Sequence, residues 1–167
     1  MPDAWLKGPV AGVPAALQPV AHALENLRIE LEAALADATD AELWQQPAGA
    51  APAGFHIRHL CGSVDRLFTY ARDESLTETQ LAVLGAEREP GATPPGAAAL
   101  RHLLDETLAR AMAQLRTTRE STLDEPRAVG RKRLPSTVRG LLFHAAEHGA
   151  RHTGQVVTTM KMVRGTR

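Results

Sequence analysis

Apolar positions recur with helical period along almost the whole chain and no stretch alternates convincingly with period two, so the pattern predicts an all-α fold. Four long amphipathic helices emerge. The first runs from about Pro19 to Ala36 with Val20, Leu24, Leu27, Leu31 and Leu35 on one stripe, and Pro19 suits its first turn, where an amide has no partner to lose. It ends near Thr39, which opens a short helix: Glu42 follows at capping-box spacing, and the run through Leu43 and Trp44 stops at Pro47. Gly49 to Gly54 reads as a linker. The second long helix, about Phe55 to Arg72, buries Ile57, Leu60, Val64, Leu67, Phe68 and Ala71. Thr77 and Gln80 repeat the capping-box spacing and start a short helix that ends before Pro90, and the segment from Glu89 to Gly96, rich in proline and glycine, is a loop. From about Ala97 to Glu120 the pattern Leu100, Leu103, Leu104, Leu108, Ala111 and Leu115 predicts the third long helix. Asp124 to Pro135 reads as polar and irregular, and Ser136 as the cap of a fourth helix that runs to about Val163. Four such helices make a four-helix bundle with the short helices packed in the crossovers.

Composition narrows the class. With 167 residues, 44% of them apolar, the chain suffices for one domain over 1–167 with a proper core, its ordered part about 19–163. Acidic and basic residues balance at 19 each, which removes the long-range attraction expected of a nucleic-acid binder. Met1 to Val10 has neither a basic start nor a long apolar run, and no segment reaches the roughly 20 apolar residues that span a bilayer. The expectation is a soluble cytoplasmic protein without membrane or nucleic-acid partners. Cys61 is the single cysteine, which excludes an intrachain disulfide and any cysteine-based metal cluster; on the core face of its helix it reads as a buried, inert thiol. Histidine and carboxylate must then carry any metal chemistry.

His144, His148 and His152 stand at successive steps of four on the fourth helix, in a chain of seven histidines. An i, i+4 pair is separated by only about 40° around a helix and about 6 Å along it, so two imidazoles reach one ion. His144 and His152 are about 12 Å apart along the axis, too far to share one. With Val138 at zero, Leu141, Leu142, Ala145, Val156, Met160 and Val163 cluster within roughly 60° of one direction, His152 lies at about 40°, His148 at about 80° and His144 at about 120°. His148 and His152 are therefore the better-aimed pair. A lone histidine is more simply read as a hydrogen-bonded group on a partly buried face, but the repeated spacing favours metal. His22 and His102 lie away from their leucine stripes and read as solvent-exposed.

Periodicity leaves the third ligand open between His56, nearer the apolar centre of the second helix, and His59, aligned with Ser63, Arg66 and Tyr70 on a polar stripe. Arg66 and Tyr70 are candidates to bind an anionic cosubstrate or donate a proton, and Gln155 to orient a ligand. Glu147 points outward toward Arg151. Arg127, Arg131, Lys132 and Arg133 form a basic loop, a solvated charge run with a carboxylate-binding rim as the alternative.

The pair His59 and Leu60 early in the second long helix, and the stretch from His148 through His152 to Gln155 in the last, resemble the DinB-like family of metal-binding four-helix bundles, which includes bacillithiol transferases and the metal-binding domain of mycothiol-dependent maleylpyruvate isomerase. The likeness runs from about Pro19 to Val163. It implies an up, down, down, up bundle, a divalent ion on His59, His148 and His152 with water in the remaining positions, and a homodimer; His56 and His144 become partners of the ligands or alternatives to them. Neutral imidazoles suit zinc, nickel, copper and iron, with zinc or nickel expected here. Three neutral ligands leave the ion its full charge, so a water or thiol brought to it loses its proton near neutral pH. That chemistry fits a hydrolase or a thiol S-transferase acting on a small molecule, the thiol being a low-molecular-weight cosubstrate because Cys61 is buried. The alternative is a non-catalytic metal-binding bundle in a stress or interaction role. An open coordination position beside a pocket separates the two.

Overall fold

The computed structural model describes residues 3–165; the outermost positions of the N-terminal stretch and of the domain read from the sequence lie outside it. Its helices are α1 (Gln18–Leu35), α2 (Asp40–Leu43), α3 (Ala53–Ala71), α4 (Glu78–Ala86), α5 (Ala97–Thr117) and α6 (Val138–Arg164). A hairpin of β1 (Pro126–Val129) and β2 (Leu134–Thr137) precedes α6. The predicted stripes meet in one core: Leu24, Leu27 and Leu31 of α1, Ile57, Leu60 and Val64 of α3, Leu100, Leu104 and Leu108 of α5, and Leu141, Leu142 and Val156 of α6 are all buried. Leu67, Leu103 and Val163, placed on those stripes by periodicity, are only partly buried.

Contacts along the helices set their directions. Arg101 at the start of α5 donates to the Ala36 carbonyl after α1 at 3.2 Å, while the Ala16 amide ahead of α1 donates to Glu120 beyond α5 at 3.0 Å, so α1 and α5 are antiparallel. Gln114 near the end of α5 donates to the Phe68 carbonyl near the end of α3 at 3.0 Å, so these two run parallel. His56 meets His152 and His59 meets His148, so α3 and α6 are antiparallel. The resulting order is up, down, down, up. A Cβ on Gly149 would stand 2.7 Å from Leu27 Cδ1, so the glycine lets α6 approach α1 closely.

The α2 crossover clamps one end of the bundle. Both capping boxes read from the sequence are formed, Thr39 with Glu42 and Thr77 with Gln80. Asp40 then reaches across to accept from the Ala97 amide at 2.8 Å, capping α5 from another helix; a Cβ on Gly96 would overlap that carboxylate. Trp44 packs over Gly54 and donates Nε1–H to the Pro95 carbonyl at 3.1 Å. The 49–54 linker is shorter than predicted, since Pro47–Gly49 forms a 3-10 turn and α3 begins at Ala53. The end predicted near Glu120 for α5 is Thr117, with a separate 3-10 turn at Glu120–Thr122.

Three expectations about the segment before α6 are corrected. It is not irregular: Pro126 pairs with Thr137 and Val129 with Leu134 around a turn in which Gly130 (φ 65°) and Arg133 (φ 47°) are left-handed. Strands of four residues, two of them holding prolines amid a charge run, carry too little alternation for the pattern to register. The α6 cap is Thr137 rather than Ser136; its Oγ1 accepts from the Gly140 amide at 3.0 Å. Arg127 is not part of a solvated run either, because it donates to the Ala71 carbonyl at 3.0 Å and pairs with Glu125 at 2.9 Å.

Candidate metal centre

Antiparallel packing of α3 and α6 sets their histidines level. On α3, residues 56 and 59 are nearly one turn apart and face the pair 152 and 148 on α6, where i+4 spacing puts both rings on the same side. His59 Nε2 lies 3.0 Å from His148 Nε2, and His56 Nδ1 lies 3.0 Å from His152 Nδ1. One nitrogen from each of His59, His148 and His152 falls within 4.8 Å of the other two. Nitrogens held at zinc-like distances of about 2.0–2.1 Å from one ion in tetrahedral geometry stand roughly 3.3 Å apart, so these three imidazoles are compatible with a divalent ion.

His56 sits behind this group. It is 7% exposed, and its Nδ1 is engaged with His152, which leaves His152 Nε2 to face the other rings. His144 stays on the flank, with Nδ1 3.3 Å from Glu147 and a half-exposed side chain. Glu147 is turned outward to Arg151 at 2.8 Å, as its position on the wheel predicts. His102 is exposed and pairs with Glu106 at 3.4 Å. His22 departs from its predicted exposure: it is half-buried, with Nε2 3.0 Å from the Gly8 carbonyl, and so ties down the N-terminal arm.

Behind His59 stands a residue that the sequence reading did not single out. Glu87, the residue after α4, is 3% exposed and accepts from His59 Nδ1 at 2.8 Å through Oε2. Its Oε1 accepts from Arg66 Nη1. Arg66 is therefore buried and occupied by a carboxylate, not free on a wet stripe for an anionic cosubstrate. Its other nitrogen, Nη2, donates to Ser63 Oγ at 3.3 Å, and that hydroxyl lies 3.5 Å from His59 Nε2. Gly62 makes the room, since a Cβ there would overlap the Glu87 carboxylate and the Arg66 guanidinium. The only signal of Glu87 in the sequence was its place near a helix end; nothing local distinguishes it from Glu89.

Burial disfavours charge on three of these imidazoles, His56, His148 and His152. Burial, and then the neighbouring imidazoles, push His152 down to about 4. Burial lowers His148, reinforced by His59 and Arg151, and burial with His59 lowers His56. Neutral imidazole is the form that ligates a metal. Burial alone would raise the Glu87 carboxyl, but the hydrogen bonds from His59 and Arg66 outweigh it and hold the group below the usual carboxylate range.

A groove of about 300 Å³ opens beside the cluster, walled by His59, His148, Ser63, Tyr70, His144 and Val129 of the hairpin. A wider one, about 610 Å³, is lined by His56, Arg151 and Gln155. Cys61 is 1% exposed, and burial pushes its thiol up to about 12, as a buried inert cysteine requires. No helix among the described residues is long and apolar enough to cross a membrane.

A conserved protein from Enterococcus faecalis, known from its crystal structure, has a similar fold: the TM-score is 0.68 at 20% identity, over 90% of this chain and 98% of that one. No curated protein matches the chain. The sequence profile of the DinB superfamily matches residues 23–156, a span that takes in part or all of each of the four long helices together with His59, His148, His152 and Glu87, and the chain therefore belongs to the DinB superfamily.

Proposed function

We propose that this protein binds a divalent ion, zinc or nickel, through His59, His148 and His152, and uses it as a small-molecule enzyme of the thiol S-transferase or hydrolase type. The observation that carries the reading is the convergence of three imidazoles, two of which, His59 and His148, also line an open groove. A saturated structural site has no need of such a groove, whereas three protein ligands beside an accessible space are the plan of a catalytic centre. When bound, such an ion supplies Lewis acidity, which brings a water or a thiol close to ionisation at neutral pH.

The chain's own residues supply the rest. His56 backs His152, and Glu87 backs His59, so two of the three imidazoles are oriented from behind. Tyr70 and His144 line the groove and are placed to donate or accept a proton from a substrate lying in it. Cys61 is sealed in the core, so a transferred thiol must enter as a low-molecular-weight cosubstrate. Metal analysis of the purified protein and of His148→Ala and His152→Ala tests the assignment. One equivalent in the wild type and loss in both variants is expected; unchanged stoichiometry in both overturns it. A wild-type protein that binds the ion but shifts no cobalt or nickel absorption band on adding low-molecular-weight thiols is a hydrolase or a non-catalytic binder, and not a thiol transferase.

A further inference from the structure

Glu87 follows a helix, α4, that has no buried residue of its own. Every residue of α4 is exposed or half-exposed, so the helix contributes nothing to the core, and yet the residue that follows it is among the most buried carboxylates of the chain. The helix is attached by polar contacts: Gln80 donates to Asp65 at 2.7 Å and to Thr69 at 2.8 Å, and Arg58 donates to the carbonyls of Ala86 at 3.0 Å and Glu89 at 2.7 Å. These bonds bring Glu87 over Gly62, between Arg66 and His59.

We propose that Glu87 is the positioning residue of His59, and that with Arg66 it fixes that imidazole as the Nδ1–H tautomer, so that the Nε2 lone pair faces His148 and His152. The inference deepens the metal-site reading and rests on it for its consequence, but the tautomer itself stands on the contact with Glu87, with which two others agree. A carboxylate only accepts, so the 2.8 Å contact places the proton on His59 Nδ1. Arg66 only donates, so Ser63 Oγ accepts from it and has its own proton to direct at His59 Nε2. The 3.0 Å approach of His148 Nε2 requires one proton between two nitrogens, and with the His59 proton on Nδ1 it is His148 that donates. A histidine ligand held through its second nitrogen by a carboxylate is oriented and made more basic, and loss of the partner typically costs about 10–100-fold in metal affinity.

Arg66 gives the proposal a sharp test. In Glu87→Gln the amide must turn its oxygen to Arg66, which leaves the amide NH2 facing His59 and forces Nδ1 to accept. The proton then moves to Nε2, the nitrogen that faces the cluster. Long-range proton–nitrogen correlation spectra of the metal-free protein, at one fixed pH, are expected to show His59 protonated on Nδ1 in the wild type and on Nε2 in E87Q. In chelator competition with zinc, E87Q is expected to bind about 10–100-fold more weakly than wild type. Adding Arg66→Met frees the amide to flip, so the double variant E87Q/R66M recovers part of the affinity, an outcome that loss of packing cannot produce. Gly62→Ala, which crowds the carboxylate without changing it, serves as the second variant: His59 then populates both tautomers and zinc binding falls. An Nδ1–H tautomer in E87Q, or zinc binding by E87Q as tight as that of a wild type that binds zinc, overturns the proposal. If the wild type binds no zinc while E87Q still reverses the tautomer, the metal reading fails and the positioning role stands.

Discussion

At the scale of single residues, the six imidazole nitrogens of His59, His148 and His152 are sorted by what stands behind each ring. His59 has Glu87, His152 has His56, and His148 has Arg151, whose Nη2 lies 3.2 Å from Nδ1. Spacing alone left His56 and His59 competing for one role; the structure places them differently, since residues 56 and 59 are three apart and His59 directs a nitrogen into the group of three while His56 meets only His152. Metal affinity measured by chelator competition should separate them. His59→Ala removes a donor and is expected to weaken zinc binding more than His56→Ala, which removes only an orienting contact and should fall within about 10–100-fold of wild type. The reverse order would mean that His56 is the ligand. Arg66 shows the converse case: its place on a polar stripe suggested an exposed cation, but a helical stripe can be polar because it faces another buried polar group.

At the scale of elements, local rules and long-range packing divide the work. Capping boxes close within four residues and formed where the spacing placed them, at Thr39 and at Thr77. The α6 cap moved by one residue because the hairpin ends in the β conformation at Thr137, and the first α6 amides are met by the preceding segment, Arg139 donating to the Leu123 carbonyl at 2.8 Å. Thr137→Ala is expected to lower stability by about 1 kcal/mol in denaturant titration, while Ser136→Ala should change it by roughly half that or less. The hairpin matters beyond its size, since Val129 forms part of the groove beside the histidines. The α4 crossover is similar: it adds little apolar burial and is held by polar bonds, yet it delivers Glu87 to the centre.

At the scale of the molecule, the core is continuous through all four long helices, and Cys61 lies in it under Thr107 of α5. Its ordinary thiol value is 9.0 and burial raises it to about 12. Below the ordinary value the thiol is neutral in the folded and unfolded chains alike; above it the unfolded chain ionises while the native one does not, so native stability is lost as pH rises from about 9 towards 12. Urea titrations across that range should show a steeper alkaline decline for the wild type than for Cys61→Ala, and equal slopes would show that the thiol is not sealed. The four helix stripes and the aim of His148 and His152 were determined by the sequence itself, because a helix is a rigid local frame in which spacing alone sets direction. The resemblance, not the periodicity, singled out His59. The hairpin, the buried state of Arg66 and above all Glu87 were decided only by the tertiary structure: His59 and Glu87 are 28 positions apart. A carboxylate after a short helix looks the same in sequence whether it ends in water or in the core. What separates the two is how the crossover folds back onto α3, and that depends on contacts spread over α3, α4 and the loop after it.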